Sequence, residues 1–123
     1  GVFVNDGKGN FQFQPLPYLA QLSPYKTATI IDANGDNLPD VFLGGNFYDN
    51  NIQMGRYDAD FGTVLLNKGK NQFEIQLSQV PIYGQVRHIK PFKNSAGKLY
   101  WLLAKNNDKA QILSLTTPTF RKF

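Results

Sequence analysis

Apolar and polar residues alternate along this chain in short bursts that rarely hold a helical period. "FQFQPL", "ATIID", "DVFLGG" and "GTVLLN" come first, then "FEIQL", "VRHIK", "LYWLLA" and "AQILSL". These bursts are rich in β-branched and aromatic residues and are bounded by Gly, Asn, Asp or Pro. That combination predicts strands joined by turns. Few stretches keep a helical period together with caps, so the expected fold class is all-β. The last two strands are joined by the tight turn "KNND". The opening "GVFVNDGKGNF" starts in mid-strand, as a segment cut from something longer would.

The bursts also repeat. "VNDGKGNF" (Val4 to Phe11) and "LNKGKNQF" (Leu66 to Phe73) align without a gap at an offset of 62 residues. "TATIIDANGDNLPDVFLGGN" (Thr27 to Asn46) aligns with "VRHIKPFKNSAGKLYWLLAK" (Val86 to Lys105) at an offset of 59. In this second pair Ile30 lies over Ile89, and Val41, Phe42 and Leu43 lie over Tyr100, Trp101 and Leu102. A period of about 60 residues carrying about four strands has the size of a propeller blade and is too long for a leucine-rich repeat. The expected domain is one unit over 1–123, divided into 1–70 with an acidic loop and 71–123 as a degenerate terminal copy.

Composition narrows this picture. With 123 residues, 41% hydrophobic and 14% aromatic, the chain can bury a core. A net charge of +4 without a basic run points to solubility rather than to nucleic acid. The absence of cysteine removes disulfides and thiolate metal sites. No apolar run approaches the ~20 residues of a spanning helix, and no signal peptide opens the chain.

The candidate chemistry sits in "DANGDNLPD". Asp32, Asn34, Asp36 and Asp40 would repel one another if they converged, unless a cation sat among them. Hard divalent ions want six or more oxygens, and alternate residues of a curled loop point inward. Asp32, Asn34 and Asp36 can donate side-chain oxygens, Leu38 its carbonyl, and Asp40 can close the shell. Gly35 allows the tight turn, and Pro39 stiffens the exit. An EF-hand is excluded, because its sixth and twelfth loop positions want Gly and Glu and here carry Asn37 and Leu43. The competing interpretation is an inert turn whose acids face solvent. In the aligned second copy the same positions are Pro91, Lys93, Ser95 and Leu99, so one metal site is expected, not two.

"DANGDNLPD" followed by "VFLGGN" resembles the FG-GAP and VCBS repeats of integrin-like β-propellers. "NDGKGNF" resembles the turn that closes one such repeat and opens the next. The resemblance is strong over Val4 to Phe73 and weak afterwards, and it departs at Asn37, where the family usually has glycine. It implies a partial β-propeller of about two four-stranded antiparallel blades, with Ca²⁺ in one loop. It also implies a secreted or cell-envelope bacterial protein, not an enzyme, serving adhesion or binding of a protein or glycan ligand. The remaining blades or a second copy would cover its open faces, and no nucleic acid or membrane-spanning segment is expected.

One further loop could carry function. "NFYDNNIQMGRYDADFG" (Asn46 to Gly62) has no counterpart in the second copy, and long loops on rigid scaffolds often bind ligands. Tyr48, Arg56, Tyr57, Asp58 and Asp60 are the candidates for an aromatic and charged platform. The alternative is that Arg56 pairs with Asp58 or Asp60 while the aromatics fill space. A carbohydrate-active enzyme using Asp58, Asp60 and Asp49 is the catalytic alternative. His88 and the serines lie in no nucleophile motif.

Overall fold

A computed structural model of the chain describes residues 1–49, 55, 57–78, 80–116 and 119–122, with side chains through Ser114. The strands are β1 (Val2–Asn5), β2 (Phe11–Gln14), β3 (Thr27–Ile31), β4 (Asp40–Gly44) and β5 (Thr63–Asn67), followed by β6 (Phe73–Leu77), β7 (Gln85–Lys93), β8 (Leu99–Asn106), β9 (Gln111–Thr116) and β10 (Thr119–Lys122). A single 3-10 turn at Tyr18–Gln21 is the helical exception among the described residues. No helix there is long and apolar enough to cross a membrane. The fold is all-β with antiparallel sheets, as the alternation predicts. β1 and β2 form a hairpin, β3–β4–β5–β6 form one four-stranded meander, and β7–β8–β9–β10 form a second.

The 62-residue repeat is physical. β1–β2 pairs Asn5 with Phe11 and Phe3 with Phe13, while β5–β6 pairs Asn67 with Phe73 and Leu65 with Ile75. Both turns use the same device. The Gly7 N–H donates to Asn5 Oδ1 at 2.7 Å and the Gly69 N–H donates to Asn67 Oδ1 at 2.9 Å. A side-chain amide thus satisfies the backbone where the chain enters its left-handed residues. Gly9 in the first turn has φ +89°, and Asn71 fills the matching place at φ 60°. β6 pairs β5, so the first four-stranded sheet runs to Leu77.

The 59-residue alignment fails at its centre. β3 pairs Ile31 with Asp40, and the loop opens between them. The aligned residues Lys90 and Leu99 do not pair. Lys90 instead opposes Leu102, and the ladder continues through Pro91–Trp101 and Phe92–Tyr100 to Lys93–Leu99. In the stretch aligned with the acidic loop, Pro91–Lys93 and Leu99 are therefore strand, closed by a turn over Asn94–Lys98. There Asn94 Oδ1 accepts from the Ala96 and Lys98 N–H groups, with Gly97 at φ +78°.

The two meanders pack face to face. Phe42 and Val64 from the first meet Ile89, Trp101, Leu103 and Leu113 from the second, and Ile82 of the β6–β7 connection joins them. Phe42 and Trp101, aligned by sequence, are buried in that same cluster. Gly44 makes the approach possible, since a Cβ there would lie 2.8 Å from Val86 Cγ1 and 2.9 Å from Ile89 Cδ1. On the other face of the first sheet, Leu43 and Leu65 are covered by Leu16, Ala20 and Tyr25. That cover leaves the polar ends of the strands exposed, and the acidic loop lies at one of them.

Candidate metal loop and the buried polar node

The Asp32–Asp40 loop is stitched by its own side chains. Asp32 Oδ1 accepts from the Gly35 N–H at 2.8 Å and Oδ2 from the Asn37 N–H at 3.2 Å. Asn34 Oδ1 accepts from the Asp36 N–H, and Asp36 Oδ1 from the Leu38 N–H at 2.8 Å. Asp40, fully buried, accepts from the Ala33 N–H through Oδ2 and from the Asn67 N–H through Oδ1, both at 2.8 Å. Asp40 therefore ties the start of the loop to the end of β5. Its role as a clamp was not visible in the ligand spacing alone.

Backbone N–H groups thus answer part of the repulsion among the acids. Asp36 is held below the usual carboxylate range by the Leu38 N–H first, then by the Asn34 amide, with Lys68 adding attraction. Asn34 Nδ2 donates to Asp36 Oδ2 at 2.8 Å. Asn37 takes φ 63° and Gly35 φ +81°, so asparagine occupies the left-handed position at which the resembled repeats have glycine.

Among the described residues no three His, Cys, Asp or Glu side chains converge as a metal cluster. The donors nonetheless suit a hard cation. Asp32, Asn34, Asp36, Asp40 and the Leu38 carbonyl offer only oxygens, and each carboxylate oxygen bound to one N–H keeps a second lone pair. Asn34 would have to turn its amide, because its nitrogen now faces Asp36. The loop fits the ion chemically and is not gathered around one.

The described residues of the Asn46–Gly62 loop lie in different surroundings. Phe47 and Tyr57 bridge its base, with N–H···O distances of 2.8 and 2.9 Å. Tyr48 is half-buried, and its hydroxyl accepts from the Gly84 N–H at 3.2 Å. Tyr57 and Asp58 are exposed, and Arg56 lies outside the described residues. Asp60 is buried: its Oδ1 accepts from the Gly62 N–H at 3.0 Å and from the Thr63 hydroxyl at 3.1 Å. Burial pushes its carboxyl above the usual range, against those hydrogen bonds. It presents nothing to solvent and offers Asp58 no partner carboxylate. Asp49 instead faces Arg87 at 3.5 Å.

The residue sequence reasoning missed is Asn46. Buried at φ 74°, it donates through Nδ2 to the Asp60 and Gly84 carbonyls and accepts through Oδ1 from the Asp60 N–H and the Ser23 hydroxyl. Four bonds saturate the side chain. The usable signal was "GGN": two small residues admit close backbone, and an asparagine follows that tolerates left-handed φ. Gly45 is such a contact, since a Cβ there would lie 2.7 Å from the Pro24 carbonyl oxygen.

In comparisons with known proteins, no family model, no curated protein and no solved structure matches the chain.

Proposed function

We propose that this chain is a calcium-stabilised segment of β-propeller-type repeats from an extracellular or cell-envelope protein, serving adhesion or ligand binding rather than catalysis. The reading is supported above all by the Asp32–Asp40 loop. All of its predicted donors are hard oxygens, and it joins adjacent strands of a four-stranded meander packed against another. Asp32, Asn34, Asp36, Asp40 and the Leu38 carbonyl would hold the ion. Calcium would supply charge cancellation and no reactive chemistry. Asp40 already positions the loop by clamping Ala33 and Asn67, so ordering falls to Asp32, Asn34 and Asp36. A site of extracellular affinity, with Kd of ~10⁻⁴ M, would add about 1.4 kcal/mol of stability at ~1 mM Ca²⁺.

The test is thermal melting with Ca²⁺, Mg²⁺ or chelator. The expected result is a Ca²⁺-dependent rise in Tm that Asp36→Ala abolishes. Identical melting with calcium and with chelator, together with no heat of binding by calorimetry, overturns the calcium reading.

A further inference from the structure

The outward face of the β7–β10 sheet is built unlike the inward one. Inward point Ile89, Trp101, Leu103 and Leu113, all buried. Outward stand His88, Lys90 and Phe92 of β7, with Tyr100 and Leu102 of β8 and Ile112 of β9. Lys90 lies in register with Leu102, and Leu102 with Ile112, so a cation on the edge strand β7 ends an apolar row. Phe92, Leu102 and Ile112 are each more than a third exposed. Phe92 stacks on Tyr100 with ring centroids 5.6 Å apart and 22° between planes, and Lys98 Nζ sits 5.6 Å over the Tyr100 ring.

Charge separates along the molecule in a way the even scatter of lysines in the sequence conceals. Residues 1–78 carry five Lys and Arg against eight Asp and Glu, while residues 79–123 carry eight against one, Asp108. Neither Lys90 nor Lys109 has an ion-pair partner among the described residues. A groove of about 790 Å³ runs along this part of the sheet, lined by Tyr83, Phe92, Tyr100, Asp108, Lys109 and Ile112 among others. That is within the size range of small-ligand sites.

We propose that this face binds an anionic polysaccharide, with sugar rings lying against the exposed side of Phe92 and carboxylates meeting Lys90 and Lys109. An apolar sheet laid over the same face would take Lys109, which lines the groove, out of water without an ion-pair partner, at a cost of several kcal/mol. A polyanion removes that difficulty by charge complementarity. Nucleic acid is disfavoured by Asp108, because a DNA backbone offers its carboxylate phosphates and no hydroxyl donors. A uronate unit also carries a charge, but it has free hydroxyls from which Asp108 can accept. The inference deepens the ligand-binding reading above and is independent of the calcium loop.

The test titrates the chain with galacturonate oligomers, with a neutral glucan oligomer and with dT20, all in chelator. Chelator keeps calcium from bridging uronates and separates this outcome from the metal question. Binding of the uronates alone, weakening as salt rises, is expected. The Lys90→Glu/Lys109→Glu variant should weaken it at least about tenfold, and Phe92→Ala about fivefold or more. Lys8→Glu/Lys70→Glu, with the same change in net charge on the distant turns, should leave it within about twofold. Circular dichroism and Tm confirm that each variant is folded. No uronate binding, tighter binding of dT20, or equal loss in the distant variant overturns the proposal.

Discussion

The β3–β4 and β7–β8 hairpins hold aligned positions in the repeat and close by opposite means. In the first, the ladder stops at Ile31–Asp40 and side-chain oxygens hold the loop backbone. In the second, the ladder runs to Lys93–Leu99 and one asparagine closes the turn. Three aspartates in the one hairpin and three lysines (Lys90, Lys93, Lys98) in the other account for the difference. Carboxylates can accept from backbone N–H groups and so hold an open loop, whereas lysines offer those groups no acceptor and leave the backbone to strand pairing.

The strongest way to break this comparison is to ask whether the two sheets are one cooperative unit. Trp101 and Phe42 are both nearly inaccessible in the shared core. Trp101→Ala should cost about 3–5 kcal/mol and unfold both sheets together. Two separate melting transitions would show that each meander stands alone and that the contrast between hairpins is local.

Next comes the clamp against the ligands. Asp40→Ala leaves the N–H groups of buried Ala33 and half-buried Asn67 without acceptors, at about 2–4 kcal/mol with calcium or with chelator. Asp36→Ala, in an exposed position, should cost under about 1 kcal/mol in chelator and remove only the calcium increment. Equal effects of the two substitutions in chelator would erase the distinction between clamp and ligand. Chemical denaturation with and without calcium decides it.

The buried node gives a smaller, pH-dependent effect. Burial raises the Asp60 carboxyl above its unfolded value of 3.8. The stability it contributes is complete below that value and is lost as pH rises through the folded one. Asp60→Asn keeps an acceptor for the Gly62 N–H and Thr63 hydroxyl and removes the buried charge. It should raise Tm at neutral pH by a few degrees and flatten the decline above pH ~4. Asp36 and Asp6, both lowered chiefly by hydrogen bonds, act in the opposite sense below 3.8, so the windows do not overlap.

How much of this was legible depended on the range of the interaction. The strands and the "NDGKGN" and "NKGKNQ" turns were legible because alternation and left-handed glycines act over a few residues. The acidic loop was legible as a cluster of oxygens, but not Asp40 as a clamp, because its second partner, Asn67, lies 27 residues away. Asp60 looked like a platform residue since nothing local announces its burial. Phe42 and Trp101 were legible as aligned apolar positions, but not as members of one core shared by both sheets, because that depends on how the sheets pack. Gly44 depends on neighbours from the other sheet and could not be read, and Asn46 only through the "GGN" signal.

The smallest test concerns the turn that keeps the first hairpin open. Asn37 sits at φ 63°, where a Cβ is disfavoured and asparagine is merely tolerated. Asn37→Gly relieves that strain but gives the unfolded chain more freedom to lose, and the two effects oppose each other. The net change should stay within about 0.5 kcal/mol of stability in chelator. Its side chain makes none of the bonds that hold the loop, while its N–H, which glycine retains, donates to Asp32 Oδ2. Calcium affinity should therefore be unchanged. A loss of more than about 1 kcal/mol by urea denaturation would mean that the loop needs the asparagine side chain itself, and that its stitching is not carried by the aspartates and backbone alone.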